Sequence, residues 1–334
     1  MALTPRENAE LVIHGEIPEY YGDLMPVMAM VLDPIIKCEM IPHDGQLHQD
    51  GWGVTKKWPL SDAGMCPIIT DENKVIKDIC DWEDYVKFPQ VHGLDWTNTI
   101  DMYKKVNTKE QYVGTIMSTG LFERSHYMMG FEDALCNYLE EPEAMHDFLR
   151  AVCDWKLECI DEWHEHVPLE MVMYHDDWAN KKAMFLAPEI WREFIKPLQQ
   201  EISDRFHDYG IYYMHHSDCK CDAVAQDMVD IGVDMWQGAL PQNDLVKVQK
   251  ETHPQLCMIG GLDGAKIDVA GITEEEIRAE VRRSFDDYCK NGYFFPSNPF
   301  GLVFEHQNVF DIAMDEHIKY GRILAERHRA GDFD

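Results

Sequence analysis

A chain of 334 residues with 45% hydrophobic and 27% charged side chains is long enough for a large core, and α/β barrels of this length commonly form one domain. Its 61 acidic against 30 basic residues leave a formal charge of −31, a field that repels nucleic acid and anionic lipid and disfavours a highly anionic substrate. No apolar run approaches the roughly 18 residues of a membrane span. The start, Met1-Ala2-Leu3-Thr4-Pro5-Arg6-Glu7, lacks the hydrophobic stretch of a signal peptide, so the expected location is the cytoplasm. The ten cysteines are then expected as free thiols, with one or two available to a metal.

Thr4-Pro5-Arg6-Glu7 reads as a helix start, with Thr4 as N-cap and Pro5 at the first helical position. Residues to about 100 are irregular, punctuated by Pro, Gly and Trp, and read as an N-terminal elaboration with early strands. From residue 112 short apolar runs alternate with amphipathic segments. Strands are expected at 112–117, 169–174, 211–214, 233–236, 256–259 and 293–295. Helices are expected at 133–152 (broken at Pro142), 188–207, 223–230, from Asp244, from Thr273 and at 309–328. Thr273 and Glu276 make a capping box, and Glu305-His306 is expected to open the last helix. This alternation implies parallel strands joined by right-handed crossovers. Six such units plus earlier strands suit an α/β fold, an eight-stranded TIM-type barrel forming one domain over 1–334. A doubly wound open sheet is the alternative, but no Gly-x-Gly-x-x-Gly follows an early strand.

Each later strand is followed by a polar or Gly-rich cluster. These are His175-Asp176-Asp177-Trp178, His215-His216-Ser217-Asp218-Cys219, Gln237-Gly238-Ala239-Leu240-Pro241-Gln242, Gly260-Gly261-Leu262-Asp263-Gly264 and Pro296-Ser297-Asn298-Pro299. In a barrel those strand ends converge on one mouth, where the chemistry takes place. Strand alternation puts His216 on the same side as Tyr212, Met214 and Asp218, and His215 on the other. His216 is therefore the catalytic candidate and His215 a structural one. Asp176 and Asp177 are candidates for a catalytic carboxylate pair; capping a helix or balancing Lys181 and Lys182 is the plainer alternative. Glu123, Trp178, Trp236 and Gln242 are candidate substrate contacts, the two tryptophans as walls for an aromatic ring, although most aromatic residues belong to the core.

A family resemblance joins these pieces. Asp176-Asp177-Trp178, followed by Pro188-Glu189-Ile190-Trp191-Arg192-Glu193-Phe194-Ile195-Lys196-Pro197, resembles a signature of the uroporphyrinogen decarboxylase superfamily. Gly120-Leu121-Phe122-Glu123, Gly130-Phe131-Glu132 and Glu141-Pro142-Glu143 resemble its preceding unit, and His216-Ser217-Asp218 with Ile231-Gly232-Val233-Asp234 and Gln242 its next. The resemblance covers roughly residues 110 to 325 and implies the barrel. It also implies one of two activities. Decarboxylation of an eight-carboxylate tetrapyrrole relies in that family on an Arg-rich segment near the N-terminus, whereas here that region offers only Arg6 and the next arginine is Arg124. The other branch comprises corrinoid-dependent methyltransferases, which use zinc to activate the atom that gives or receives the methyl group.

The chain departs from the thiolate-rich zinc pattern of the coenzyme M members. His216 falls on the family histidine, Asp218 falls on the first cysteine, and no cysteine stands near Pro296-Ser297-Asn298; Cys219 and Cys221 are offset. The implied metal ligands are then His216 and Asp218 with Cys219, a donor set that zinc accepts. The implied reaction is O-demethylation of a small methoxylated molecule, aromatic ones included, by a zinc-dependent methyltransferase. The methyl group would pass to cob(I)alamin on a separate, transiently bound corrinoid protein, since this chain has no Asp-x-His-x-x-Gly sequence of its own. The rival readings are a decarboxylase of a smaller acid, a methylcobamide:thiol methyltransferase, and a binding protein without a metal.

Overall fold

The fold is that of a computed structural model, which describes residues 3–62, 64–297 and 308–333. The capping box at the start is present: Thr4 Oγ accepts the Glu7 N–H at 3.2 Å, and the Glu7 carboxylate accepts the Thr4 N–H at 2.8 Å. Helix α1 runs over Pro5–Ile13. The irregular region that follows holds four short strands. One of them, β1 (Met28–Met30), belongs to the main sheet. The other three, β2 (Leu47–Gln49), β3 (Thr55–Lys57) and β4 (Cys66–Pro67), form a separate antiparallel sheet.

Six longer strands complete the main sheet: β5 (Tyr112–Met117), β6 (Met171–His175), β7 (Tyr212–His216), β8 (Met235–Ala239), β9 (Cys257–Gly261) and β10 (Phe294–Ser297). All pairs are parallel, in the order β1-β5-β6-β7-β8-β9-β10. Helices between them supply the crossovers, among them Pro142–His166, Lys196–Asp208 and Leu245–Thr252. Pro142 does not interrupt one helix but begins a new one after Phe131–Glu140, because the N–H that proline lacks has no acceptor in a first helical turn. The strands from β6 to β10 extend one to three residues beyond their expected ends. His175, His216 and Gly261 continue the backbone ladder although they are not apolar.

The sheet is strongly curled. Met28, Tyr112, Met171, Met173, Met214, Met235, Cys257, Ile259 and Phe295, drawn from all seven strands, meet in one buried cluster together with Ala9 and Val12 of α1. Alternate residues such as Val113, Tyr174, Tyr213, Trp236 and Phe294 pack into a second cluster with the helices. The expected eight-stranded closure is not seen among the described residues, which hold seven parallel strands and no β10–β1 ladder. With only three residues in β1, the two sheet edges are linked by side chains instead. α1 packs against β10, and Ser297 Oγ donates to Asp23 Oδ2 at 2.7 Å. Asn298, Pro299, Glu305 and His306 lie outside the described residues.

Buried charges fasten the N-terminal region to the sheet. Lys56 of β3 lies 3.2 Å from Glu39 and 2.8 Å from Asp50. Arg124, in the helix after β5, pairs with Glu39 and lies 4.0 Å over the Trp52 ring. Each charge has an opposite partner, as burial of this kind requires. No helix among the described residues is long and apolar enough to cross a membrane, and all ten cysteines are free thiols.

Met214 is fully buried in the inner cluster, one inward position below His216. Met214→Ala should therefore cost about 2–5 kcal/mol, the usual range for a buried methionine truncation. A urea titration that gave less than about 1 kcal/mol would show that this interior is not tightly packed.

Candidate functional site

Strand register builds the site. His175 pairs with His216 across β6 and β7, and His216 pairs with Gln237 across β7 and β8. The three residues share one rung, and each follows the inward positions of its strand: Met171 and Met173, Met214, and Met235. The two imidazoles stack with centroids 4.3 Å apart and planes at 24°.

Each ring is oriented through Nδ1. His175 Nδ1–H donates to Glu123 Oε2 at 2.9 Å. A carboxylate only accepts, so this nitrogen carries the hydrogen and Nε2 is left with a lone pair when the ring is neutral. His216 Nδ1–H donates to Gln237 Oε1 in the same way. Asp177 completes the group: its Oδ1 lies 3.9 Å from His216 Nε2 and accepts the Asp218 N–H at 2.7 Å. One ligand atom from each of His175, Asp177 and His216 can be chosen so that all lie within 4.8 Å of one another.

This group fits a zinc ion chemically. Two imidazoles and a carboxylate are ordinary zinc donors, and an oxygen acceptor on the remote nitrogen is the usual support of a metal-bound histidine. Ligands of tetrahedral zinc stand roughly 3.3 Å apart, from bonds of about 2.0–2.1 Å. The 3.9 Å between His216 and Asp177 therefore needs only a small inward movement.

The local field favours positive charge here. Burial works against a charged His175, but Glu123 outweighs it with Asp177 and Asp176 in support, and the ring is pushed up to about 10. Burial would raise Glu123, yet His175 holds it below the usual carboxylate range. Burial lifts Asp177, with His216 opposing.

The other expected site residues separate into distinct roles. Asp176 is fully buried, with its oxygens taken by the N–H groups of Phe122 (3.1 Å) and Glu123 (2.8 Å) and the Trp178 indole (3.0 Å). It thereby caps the helix Leu121–Met129, whose N-cap, Gly120, has no side chain to do so. A Cβ at Gly120 would lie 2.2 Å from Asp176 Cγ, so the glycine and the carboxylate require each other. Burial and Glu123 lift Asp176 to about 7, but it has no open face on which to act as a catalytic acid. Glu123 is a support for His175 rather than a substrate contact, since only 5% of it is exposed. Trp178 and Trp236 are also not pocket walls. Trp178 stacks on His215 at 3.9 Å, and the Trp236 indole donates to Ser217 O at 2.9 Å. Both point to the helix side of the sheet and are buried there. His215 itself is fully buried, 2.8 Å from Tyr213 Oη.

Beside the rung lies a cavity of about 290 Å³ whose lining includes His216, Gln237, Asp218, Cys219, Gln242, Lys181 and Asp263. Asp218 and Cys219, expected to ligate metal with His216, line this cavity and are not part of the three-residue group. The physical reason is the turn after β7, where Cys219 takes φ +71° and the Asp218 amide faces Asp177. His175 was not among the expected ligands. Its signal was the alternation Met171, Met173, His175, the same one that selected His216.

The family profile of uroporphyrinogen decarboxylase (URO-D) matches residues 72–299. This chain belongs to the URO-D family. Among solved structures it resembles a methyltransferase from Methanosarcina mazei, with a TM-score of 0.60 and 10% sequence identity, covering 95% of this chain and 99% of that one. At that identity the likeness is one of fold. No curated protein matches the chain. The rung of His175, His216 and Gln237 thus lies on a URO-D family scaffold, inside the matched segment.

The His175–Glu123 pair sets a pH dependence in metal-free protein. Because the folded state raises His175 to about 10, its stabilising share is complete below the ordinary imidazole pKa of about 6.5 and is lost as pH rises through the folded value. The thermal midpoint of chelator-treated protein should therefore fall between about pH 7 and about pH 10 more steeply than that of His175→Gln. Parallel curves for the two proteins would show that the pair contributes no such linkage.

Proposed function

We propose that this chain is a zinc-dependent methyltransferase of the corrinoid branch of its family, taking a methyl group from a small methoxylated molecule and passing it to cob(I)alamin on a separate corrinoid protein. The observation that supports this most directly is the group of His175, Asp177 and His216, each imidazole anchored through Nδ1, with His216 lining a cavity.

These three residues would hold the zinc ion, which when bound supplies Lewis acidity next to the ether oxygen. The methyl carbon leaves that oxygen for the acceptor, and the C–O electron pair stays on the oxygen. Glu123 and Gln237 keep both rings in the tautomer that points Nε2 inward. The methionine layer beneath excludes water from the opposite side. Gln242 and Asp218 lie on the cavity wall, where a donor molecule would rest.

Decarboxylation of a highly anionic porphyrin is the less well supported reading. Arg6 is engaged by Glu170 at 2.6 Å and lies over Tyr112 at 4.4 Å, at the amino ends of the strands and away from the cavity. Among the described residues Lys181 is the one Lys or Arg of the lining, and residues 298–307 contain no Lys or Arg.

Protein purified without chelator should carry about one zinc per chain and transfer methyl groups from methoxylated donors to cob(I)alamin, read as the methylcobalamin spectrum. His175→Ala and His216→Ala should each lose zinc and slow transfer by on the order of a thousandfold, a barrier increase of several kcal/mol. His215→Ala, on the opposite face, should keep its zinc and cost about 0.5–3 kcal/mol of stability. Full activity in metal-free protein, or methanol release with no corrinoid present, would remove this mechanism.

A further inference from the structure

The cavity beside His216 carries information about the donor molecule, and an inference from it rests on the methyl-transfer reading above. Its walls offer hydrogen-bonding groups of both kinds beside the apolar Leu240 and Leu262. No described residue donates to the Asp218 carboxylate, whose Oδ1 lies over Gly238, so close that a Cβ there would stand 2.5 Å away. Gln242 Oε1 is buried without a hydrogen-bond partner. Asp263 accepts the Ala265 N–H through Oδ1 at 3.1 Å, which leaves its second oxygen for the cavity. Donors are also present: the Lys181 ammonium, and the amide NH2 of Gln237, whose oxygen is already used by His216.

The buried Gln242 oxygen costs free energy unless a ligand satisfies it, while the half-buried Asp218 and Asp263 and the exposed Lys181 offer further partners. An aromatic methyl ether has an oxygen that accepts but few groups that donate, and would leave Asp218 and Gln242 unmet. An aromatic methoxy acid would also bring its carboxylate against Asp218 and Asp263. A methylated ammonium ion matches the carboxylates but offers nothing to Lys181 and the Gln237 amide. A hydroxyl group both donates and accepts, so a molecule with several hydroxyls satisfies both sets. The tryptophans that would have flanked an aromatic ring are buried on the other side of the sheet.

We propose that the methyl donor is a non-aromatic, polyhydroxylated methyl ether, of the kind represented by a partially O-methylated sugar or cyclitol. Its hydroxyls donate to Asp218, Gln242 and Asp263 and accept from Gln237 and Lys181, which holds the methoxy group beside the rung of His175 and His216.

Binding separates this inference from the reaction it rests on. Calorimetric titrations of the purified protein, with no corrinoid present, would compare a panel of O-methyl hexoses and O-methyl inositols with a methoxyphenol and with tetramethylammonium. The expected result is saturable binding of at least one polyol ether at millimolar concentration or below. Asp218→Asn and Gln242→Leu should each weaken it about tenfold, or about 1.4 kcal/mol, with thermal midpoints showing that both variants fold. The inference is overturned if no polyol ether binds, if methoxyphenol or tetramethylammonium binds and the polyol ethers do not, or if neither variant changes polyol binding. Binding of a polyol ether that never yields its methyl group to cob(I)alamin would uphold the ligand class and refute the methyl-transfer reading. Methyl transfer from the methoxyphenol without polyol binding would do the reverse.

Discussion

In-register parallel pairing is the constraint on which the site depends. A parallel ladder with no slip between β6, β7 and the start of β8 places His175, His216 and Gln237 side by side, and period-two alternation turns all three inward. A slip of one residue in either pairing would send an imidazole to the helix side, where His215 now lies against Trp178. The irregularity between Gln237 and Ala239 comes only after the rung. There Gly238 adopts φ +89°, a conformation that a residue with a side chain resists.

Below the rung the interior is made largely of methionine, which fills irregular space readily but holds little shape by itself. Directional order at the site therefore comes from hydrogen bonds. Glu123 holds His175 and is itself reached by Tyr127 Oη at 3.4 Å. The helix that carries Glu123 is held at its start by Asp176, a residue of the segment that follows His175. The carboxylate pair Asp176-Asp177 thus divides its work: one member fixes the neighbouring helix and the other joins the group with His175 and His216.

Much of this was legible before the structure, and the gaps have physical causes. The strand–helix alternation after residue 112 follows from apolar periodicity and from terminal signals such as the Thr273–Glu276 capping box, which forms as read. The four N-terminal strands have two or three residues each, too few for any period to register. His216 was identified through alternation. His175 lies one residue past Tyr174, the last apolar residue before the polar cluster, so apolar periodicity stops short of it although the strand includes it. The family resemblance aligns Asp218 with a ligand cysteine and leaves Cys219 beside it, but the turn after β7 redirects both. Trp178 and Trp236 show that standing at a strand end does not say which face a side chain takes.

Asp177 Oδ1 has a double attachment that ties two parts of the molecule together. The same oxygen approaches His216 and accepts the backbone N–H of Asp218, so the cluster and the cavity wall share one atom. A cation held at that oxygen as proposed would share its lone pairs with the amide that fixes the loop carrying Asp218 and Cys219. Any coupling between such an ion and an occupant of the cavity would be mutual by thermodynamic linkage. A single shared acceptor thus joins the proposed ion site to the wall of the cavity.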